Sequence, residues 1–224
     1  MIDGSASTTA LAGNVQATKM SVNTASGFSI VNFTSAAGST NQVPHGLGGT
    51  PDLFIFKRLD SSEDWWVYTQ AIDGSLDYIR LNDSGVKIDS SETAPTSTTV
   101  YQPTSSASRN YILYSFKNIA GYQKIGIYNG SSSAVTVTTG FNPRWVFIKR
   151  TNATGQQKDW VLFDQARSGG NDMNDFLVPN SLAAEFVNAG DTKINGLSDG
   201  FSVNAGMWDG VNASGGEYFY WAIA

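Results

Sequence analysis

Cysteine is missing from all 224 residues, which excludes disulfides, thiolate metal sites and cysteine nucleophiles. Charge is sparse as well: only 15% of residues are Asp, Glu, Lys or Arg, and the 14 basic residues are scattered or sit in two Lys-Arg pairs. With a net charge of −5 and no basic stripe, the chain lacks the clustered cations that phosphate binding needs, so a nucleic-acid partner is excluded. No segment approaches the roughly 18 apolar residues of a membrane span, so no membrane insertion is expected. The N-terminus has neither the basic start nor the apolar stretch of a secretory signal. Residues 1–26 contain no aromatic side chain and are rich in Ser, Thr, Ala and Gly, which predicts an N-terminal arm or attachment segment.

Core-forming material is abundant, with 41% hydrophobic and 12% aromatic residues. Much of it falls into two similar series. The first runs Gly27-Phe28-Ser29-Ile30-Val31, then Pro51-Asp52-Leu53-Phe54-Ile55-Phe56-Lys57-Arg58, Asp64-Trp65-Trp66-Val67 and Tyr111-Ile112-Leu113-Tyr114. The second runs Gly121-Tyr122-Gln123-Lys124-Ile125, Pro143-Arg144-Trp145-Val146-Phe147-Ile148-Lys149-Arg150, Asp159-Trp160-Val161 and Tyr218-Phe219-Tyr220-Trp221. Partners in the same order, about ninety to a hundred residues apart, exceed the roughly 20–50 residues of solenoid repeats. Duplication of a whole folding unit is the economical reading.

Alternation at Phe28, Ile30 and Val135-Thr136-Val137-Thr138 predicts strands, and the continuous runs ending in Lys-Arg predict strands buried on both faces. Gly-rich turns separate them, and Ser181–Phe186 is the one candidate helical turn. The fold expected is all-β: an internally duplicated, jelly-roll-like β-sandwich with two similar, closely packed halves. The arm would occupy 1–26 and the copies 27–120 and 121–224; a single fused sandwich is the alternative.

Chemistry is harder to find. The lone histidine, His45, has no acid or nucleophile in a recognisable pattern beside it, and packing at a turn with its ring on a loop carbonyl suits it better. Glu63, Asp64 and Asp159 each lie beside a tryptophan and could serve glycoside cleavage, which needs two carboxyls about 5–9.5 Å apart. Asp64-Trp65 and Asp159-Trp160 recur in both copies, however, and a turn acid opening a strand explains that more simply. Asn82-Asp83-Ser84-Gly85 and Asn171–Asp175 offer oxygen ligands without EF-hand spacing, so no metal and no cofactor is expected. The Lys-Arg pairs are expected to end a buried strand and reach solvent. Adjacent tryptophans point to opposite faces of a strand, so one of Trp65 and Trp66 must face a second layer, a subunit or solvent. Trp66 and the loop residue Trp208 are the candidate ligand-binding residues, as rings that stack on sugars or anchor interfaces. No catalytic residue is assigned.

The phrases Val43-Pro44-His45-Gly46-Leu47-Gly48, Pro51–Arg58, Trp66-Val67-Tyr68, Gly140–Arg150 and Val211-Asn212-Ala213-Ser214-Gly215-Gly216 resemble a repeated domain of bacteriophage virion proteins, of the marine-phage tail-fibre and appendage kind. The resemblance covers about Gly27 to Ala224 and rests on framework residues. It implies a virion protein assembled in the host cytoplasm, placed on the phage tail or capsid surface, and not an enzyme. Its expected partners are other virion proteins, further copies of itself (a trimer for preference) and a host surface glycan or receptor. Two alternatives remain: a decoration protein held to the virion through residues 1–26, and a polysaccharide depolymerase.

Overall fold

The computed structural model describes residues 12–153, 158–187, 193–205 and 208–224. Residues 1–11 of the expected arm lie outside the described residues. The rest of that arm is not one: Ala17–Asn23 form strand β1, which pairs antiparallel with β2 (Phe28–Thr34) from Ala17↔Phe33 to Asn23↔Phe28, with an irregularity between Ala17 and Lys19. The segment is extended because Met20 and Ala17 pack against a core in which Val15 is also buried.

Two compact units account for the chain. The first takes in the sequence up to Tyr78 together with Ile88–Ile119. Its further strands are β3 (Asn41–Pro44), β4 (Leu53–Arg58), β5 (Trp66–Thr69), β6 (Asp77–Arg80), β7 (Ile88–Asp89), β8 (Thr99–Gln102) and β9 (Asn110–Phe116). One seven-stranded sheet has the order β1-β2-β9-β4-β5-β6-β7, and β3 and β8 form a small second sheet. Val31, Phe33, Phe54, Phe56 and Leu113 from the large sheet meet Val43 and Val100 from the small one in a single core. The burial of β2 and β9 alternates along the strand, as half-buried strands require, whereas Leu53–Phe56 of β4 are buried on both faces.

The second unit comprises Ala120–Ala224 and also Ile79–Lys87, a stretch that the sequence reading placed inside the first copy. Its strands are β10 (Gln123–Asn129), β11 (Val135–Thr138), β12 (Trp145–Arg150), β13 (Trp160–Asp164), β14 (Asp172–Met173), β15 (Phe176–Leu177), β16 (Ile194–Leu197), β17 (Gly200–Val203) and β18 (Glu217–Ile223). A five-stranded sheet, β10-β18-β12-β13-β15, packs on a four-stranded one, β11-β17-β16-β14, around Ile148, Phe163, Ile194, Phe201 and Tyr220. Each unit thus has its own two-layered β core. Among the described residues the one helix, α1, is Gln165–Ser168, with the Asp164 carboxylate accepting from the Ala166 N–H as its N-cap. The expected helical turn at Ser181–Phe186 is absent; Phe186 instead bridges antiparallel to Phe176.

The two principal sheets share a register. In the first, Phe28, Phe116, Leu53 and Thr69 lie side by side across β2-β9-β4-β5; in the second, Gln123, Ile223, Trp145 and Asp164 do so across β10-β18-β12-β13. That register pairs Lys57 with Lys149, Trp65 with Trp160 and Trp66 with Val161. The smaller ladders match too, ending at Pro44↔Thr99 and Thr138↔Gly200, and each runs into a glycine of positive φ, Gly46 (72°) and Gly140 (89°). The two units are alike in the topology of these strands; internal duplication is an inference from the sequence.

Candidate functional site

Strand pairing places Phe56 of β4 opposite Trp66 of β5, Phe54 opposite Tyr68, and Arg58 opposite Tyr111 of β9. Of these side chains, Phe56, Trp66, Tyr68 and Tyr111 bound a cavity of about 270 Å³ in the first unit. Phe56, Tyr68 and Tyr111 are almost wholly buried and form its apolar wall, while Trp66 is half-buried, with its ring 5.0 Å from that of Tyr78. Opposite lies a polar rim: Gln102 at the end of β8, then Pro103, Thr104 and Ser105. Glu63, from the loop between β4 and β5, is the one carboxylate in the lining, and Arg58 Nη1 donates to its Oε1. The same guanidinium donates through Nε to Asp60, whose carboxyl it holds below the usual range. Burial, followed by the charge of Glu63, raises the Tyr111 phenol, and burial likewise raises Tyr68. Both therefore remain neutral hydroxyl groups.

The rim is held by buried amides. Asn41 and Gln102 are cross-strand partners on β3 and β8, and both are buried. Asn41 Oδ1 accepts from Ala36 N at 2.7 Å, and its Nδ2 donates to Gln102 Oε1 at 2.9 Å and to Ser39 O at 3.2 Å.

Trp66 thus belongs to a cavity, on the core side of its sheet, whereas Trp65 stacks on Tyr114, 6.3 Å away, with Lys57 Nζ 5.8 Å from its ring centre. Trp208 does not join it. It sits in the second unit, partly buried against that core and stacked on Phe176 at 5.7 Å, with Phe176 stacked in turn on Phe186 at 4.6 Å. Its ring packs there, apart from the lining of the first unit's cavity.

His45 is fully buried. Leu47 N donates to Nδ1 at 3.2 Å, so Nε2 carries the proton and donates to Thr96 O at 3.3 Å, and burial lowers the ring's pKa. It is a turn residue with a loop carbonyl, as expected. Asp159 accepts from Asn180 Nδ2 at 2.7 Å, while Asn180 accepts from Trp160 N at 2.9 Å, which is turn chemistry at a strand entry. Asp83 closes its turn onto Gly85 N at 2.8 Å and pairs with Arg80, and Asp172 pairs with Lys193 at 2.9 Å. Asp73, Asp77 and Asp89 bring carboxylate oxygens within 4.8 Å of one another, because Asp77 and Asp89 are cross-strand partners. Hard cations use such oxygen sets, but clustered acids alone do not identify one.

One expectation is overturned outright. Lys149 does not reach solvent: it is fully buried, and Nζ donates to Lys158 O (2.7 Å), Arg150 O (2.9 Å) and Ser84 O (3.3 Å). Burial brings its pKa down to about 8. Sequence reasoning also missed Tyr111, Gln102 and Asn41 as site residues; the last two are 61 positions apart, and no local pattern announces their pairing.

Among the described residues no helix is long and apolar enough to cross a membrane. The chain belongs to a family defined as a domain of unknown function, DUF7483, which it matches over residues 2–224. No curated protein and no solved structure matches it.

Proposed function

We propose that this DUF7483 member is a non-enzymatic bacteriophage virion protein, a tail-associated appendage or fibre component that holds the host cell surface through a glycan bound in the first unit's cavity. The observation that carries the reading is the cavity's make-up: Trp66 and buried Tyr and Phe rings on one side, amide, hydroxyl and carboxylate groups on the other. Sugars present the same two faces, C–H patches that stack on aromatic rings and hydroxyls that need hydrogen-bond partners. Family membership adds no function, and the virion assignment draws on the framework phrases alone. A binding role suits the chemistry better than cleavage. Glycoside hydrolysis uses two carboxyls, and here Glu63 alone lines the cavity, already paired with Arg58. Several copies on one virion would raise weak single-site affinity by avidity.

A second reading, contact with other virion proteins or with further copies of this chain, is favoured by one loop of the second unit. Leu182 is fully exposed, as are much of Val187 and Phe186. The test of the leading reading is binding of purified protein to host cells and extracted surface polysaccharide. Trp66→Ala is expected to cut binding at least tenfold with the near-ultraviolet circular dichroism retained; Trp208→Ala should leave binding intact. Unchanged binding by Trp66→Ala would reject the cavity.

A further inference from the structure

We infer that the cavity takes a single uncharged sugar ring, and that Gln102, held in place by Asn41, makes that choice. The inference rests on the glycan reading above and adds the class of sugar.

Size limits the ligand first. A cavity of about 270 Å³ lies just below the roughly 300–1,000 Å³ of sites for drug-sized molecules, so one ring enters and the remainder of a chain stays outside. Charge limits it next. Of the residues lining the cavity, Glu63 is the one Asp, Glu, Lys, Arg or His, and it is acidic. Its neighbour Arg58 is committed to two carboxylates, Glu63 and Asp60. A uronic or sialic acid would place a second carboxylate beside Glu63 with no cation in the wall to receive it, and like charges in a partly desolvated site repel.

Hydrogen-bond polarity makes the third point. Because Asn41 Nδ2 already occupies Gln102 Oε1, the carboxamide offers the cavity its NH2 end, a donor that accepts nothing. Asn41 cannot swing away, since the Ala36 N–H and the Ser39 carbonyl fix both ends of its own amide. A donor set this firmly suits a ring, hydroxyl or acetamido oxygen. On the other side, Glu63 Oε2 is an acceptor for sugar hydroxyls. A neutral ring satisfies both groups at once. Asn41 is a positioning residue: it never needs to touch the ligand.

Ligand-observed NMR titration of the full chain tests this with glucose, galactose and N-acetylglucosamine against glucuronic, galacturonic and N-acetylneuraminic acids. At least one neutral sugar is expected to bind, with each acid at least tenfold weaker. Gln102→Glu keeps the acceptor that Asn41 needs, replaces the NH2 donor with a second acceptor oxygen and adds a negative charge; it should weaken the neutral sugar at least tenfold without changing the near-ultraviolet circular dichroism. Equal or tighter binding of the acids overturns the inference on the unaltered protein, whatever the variant does. Neutral-sugar binding undiminished in a folded Gln102→Glu protein overturns it too. Either result, with Trp66-dependent binding of host polysaccharide intact, sinks the sugar class and spares the glycan reading. Failure of every sugar and of the polysaccharide sinks both.

Discussion

Lys149 shows how one side chain can be right in type and wrong in expected place. A lysine closing an apolar run ordinarily carries its ammonium to water on a flexible stem. The first unit comes near this: Lys57, at the matching register position, is half-buried and donates to the carbonyl of Glu63. Lys149 makes the corresponding bond to Lys158 O but is buried, and two more carbonyls complete its shell. Three neutral acceptors compensate the loss of water only in part, so the protonated form is disfavoured and the pKa falls to about 8. In the unfolded chain a lysine titrates at about 10.4, so the folded protein releases this proton first. Between those values the unfolded state binds more protons, and stability must rise with pH. Below about pH 8 the full cost of burying the charge is present; above it, that cost is progressively relieved. Urea denaturation from pH 7 to 10 should show this contribution as a slope approaching about 1.4 kcal/mol per pH unit, absent from Lys149→Met. Identical slopes would mean that the ammonium is not desolvated.

At the scale of elements, what could be read from the sequence was the local and the periodic. The runs Leu53–Phe56 and Trp145–Ile148 are apolar at every position, and both became strands buried on each face. Asp64-Trp65 and Asp159-Trp160 fell at equivalent register positions, just ahead of the Trp66–Thr69 pairing and at the start of β13. What stayed hidden depended on distant pairing. β1 has no aromatic residue and only Met20 and Val22 as sizeable apolar residues, so its sequence resembles an arm; the open edge of β2 is what makes it a strand. The Asn41–Gln102 bond escaped for the same reason. The role of β1 has a direct consequence. Removing the chain through Thr24 should uncover the whole edge of β2 and strip cover from Phe33 and Val31. A lowered Tm by calorimetry and concentration-dependent association by light scattering are expected, since unpaired edges recruit other chains. A truncated protein with unchanged Tm would restore the free-arm view.

For the whole molecule, the path of the chain matters more than the likeness of its halves. The sequence enters the second unit at Ile79, leaves it at Lys87 and returns at Ala120. During that excursion Arg80 O accepts from Trp160 Nε1 at 2.8 Å, Ser84 O receives Lys149 Nζ, and Lys87 N donates to Thr151 O at 2.8 Å. A fragment spanning 120–224 would contain every strand of the second unit's sheets and still lack these partners. Trp160 is fully buried in the intact protein, so orphaning its Nε1 donor should cost about 1–3 kcal/mol, while Lys149 would lose one of its three acceptors. The fragment is expected to melt well below the intact chain by circular dichroism, and a synthetic 79–87 peptide should raise its midpoint. A fragment as stable as the full protein would show the excursion to be incidental.

That threading also bears on how such a gene can be rearranged. A border near codon 120, where the chain returns to the second unit, looks like a natural joint. Recombination there would nonetheless part nine residues from the half that depends on them, leaving one product short and the other with a surplus stretch. Exchange is therefore expected to conserve the pair as one cassette, with crossovers tolerated at its ends and selected against at its midpoint.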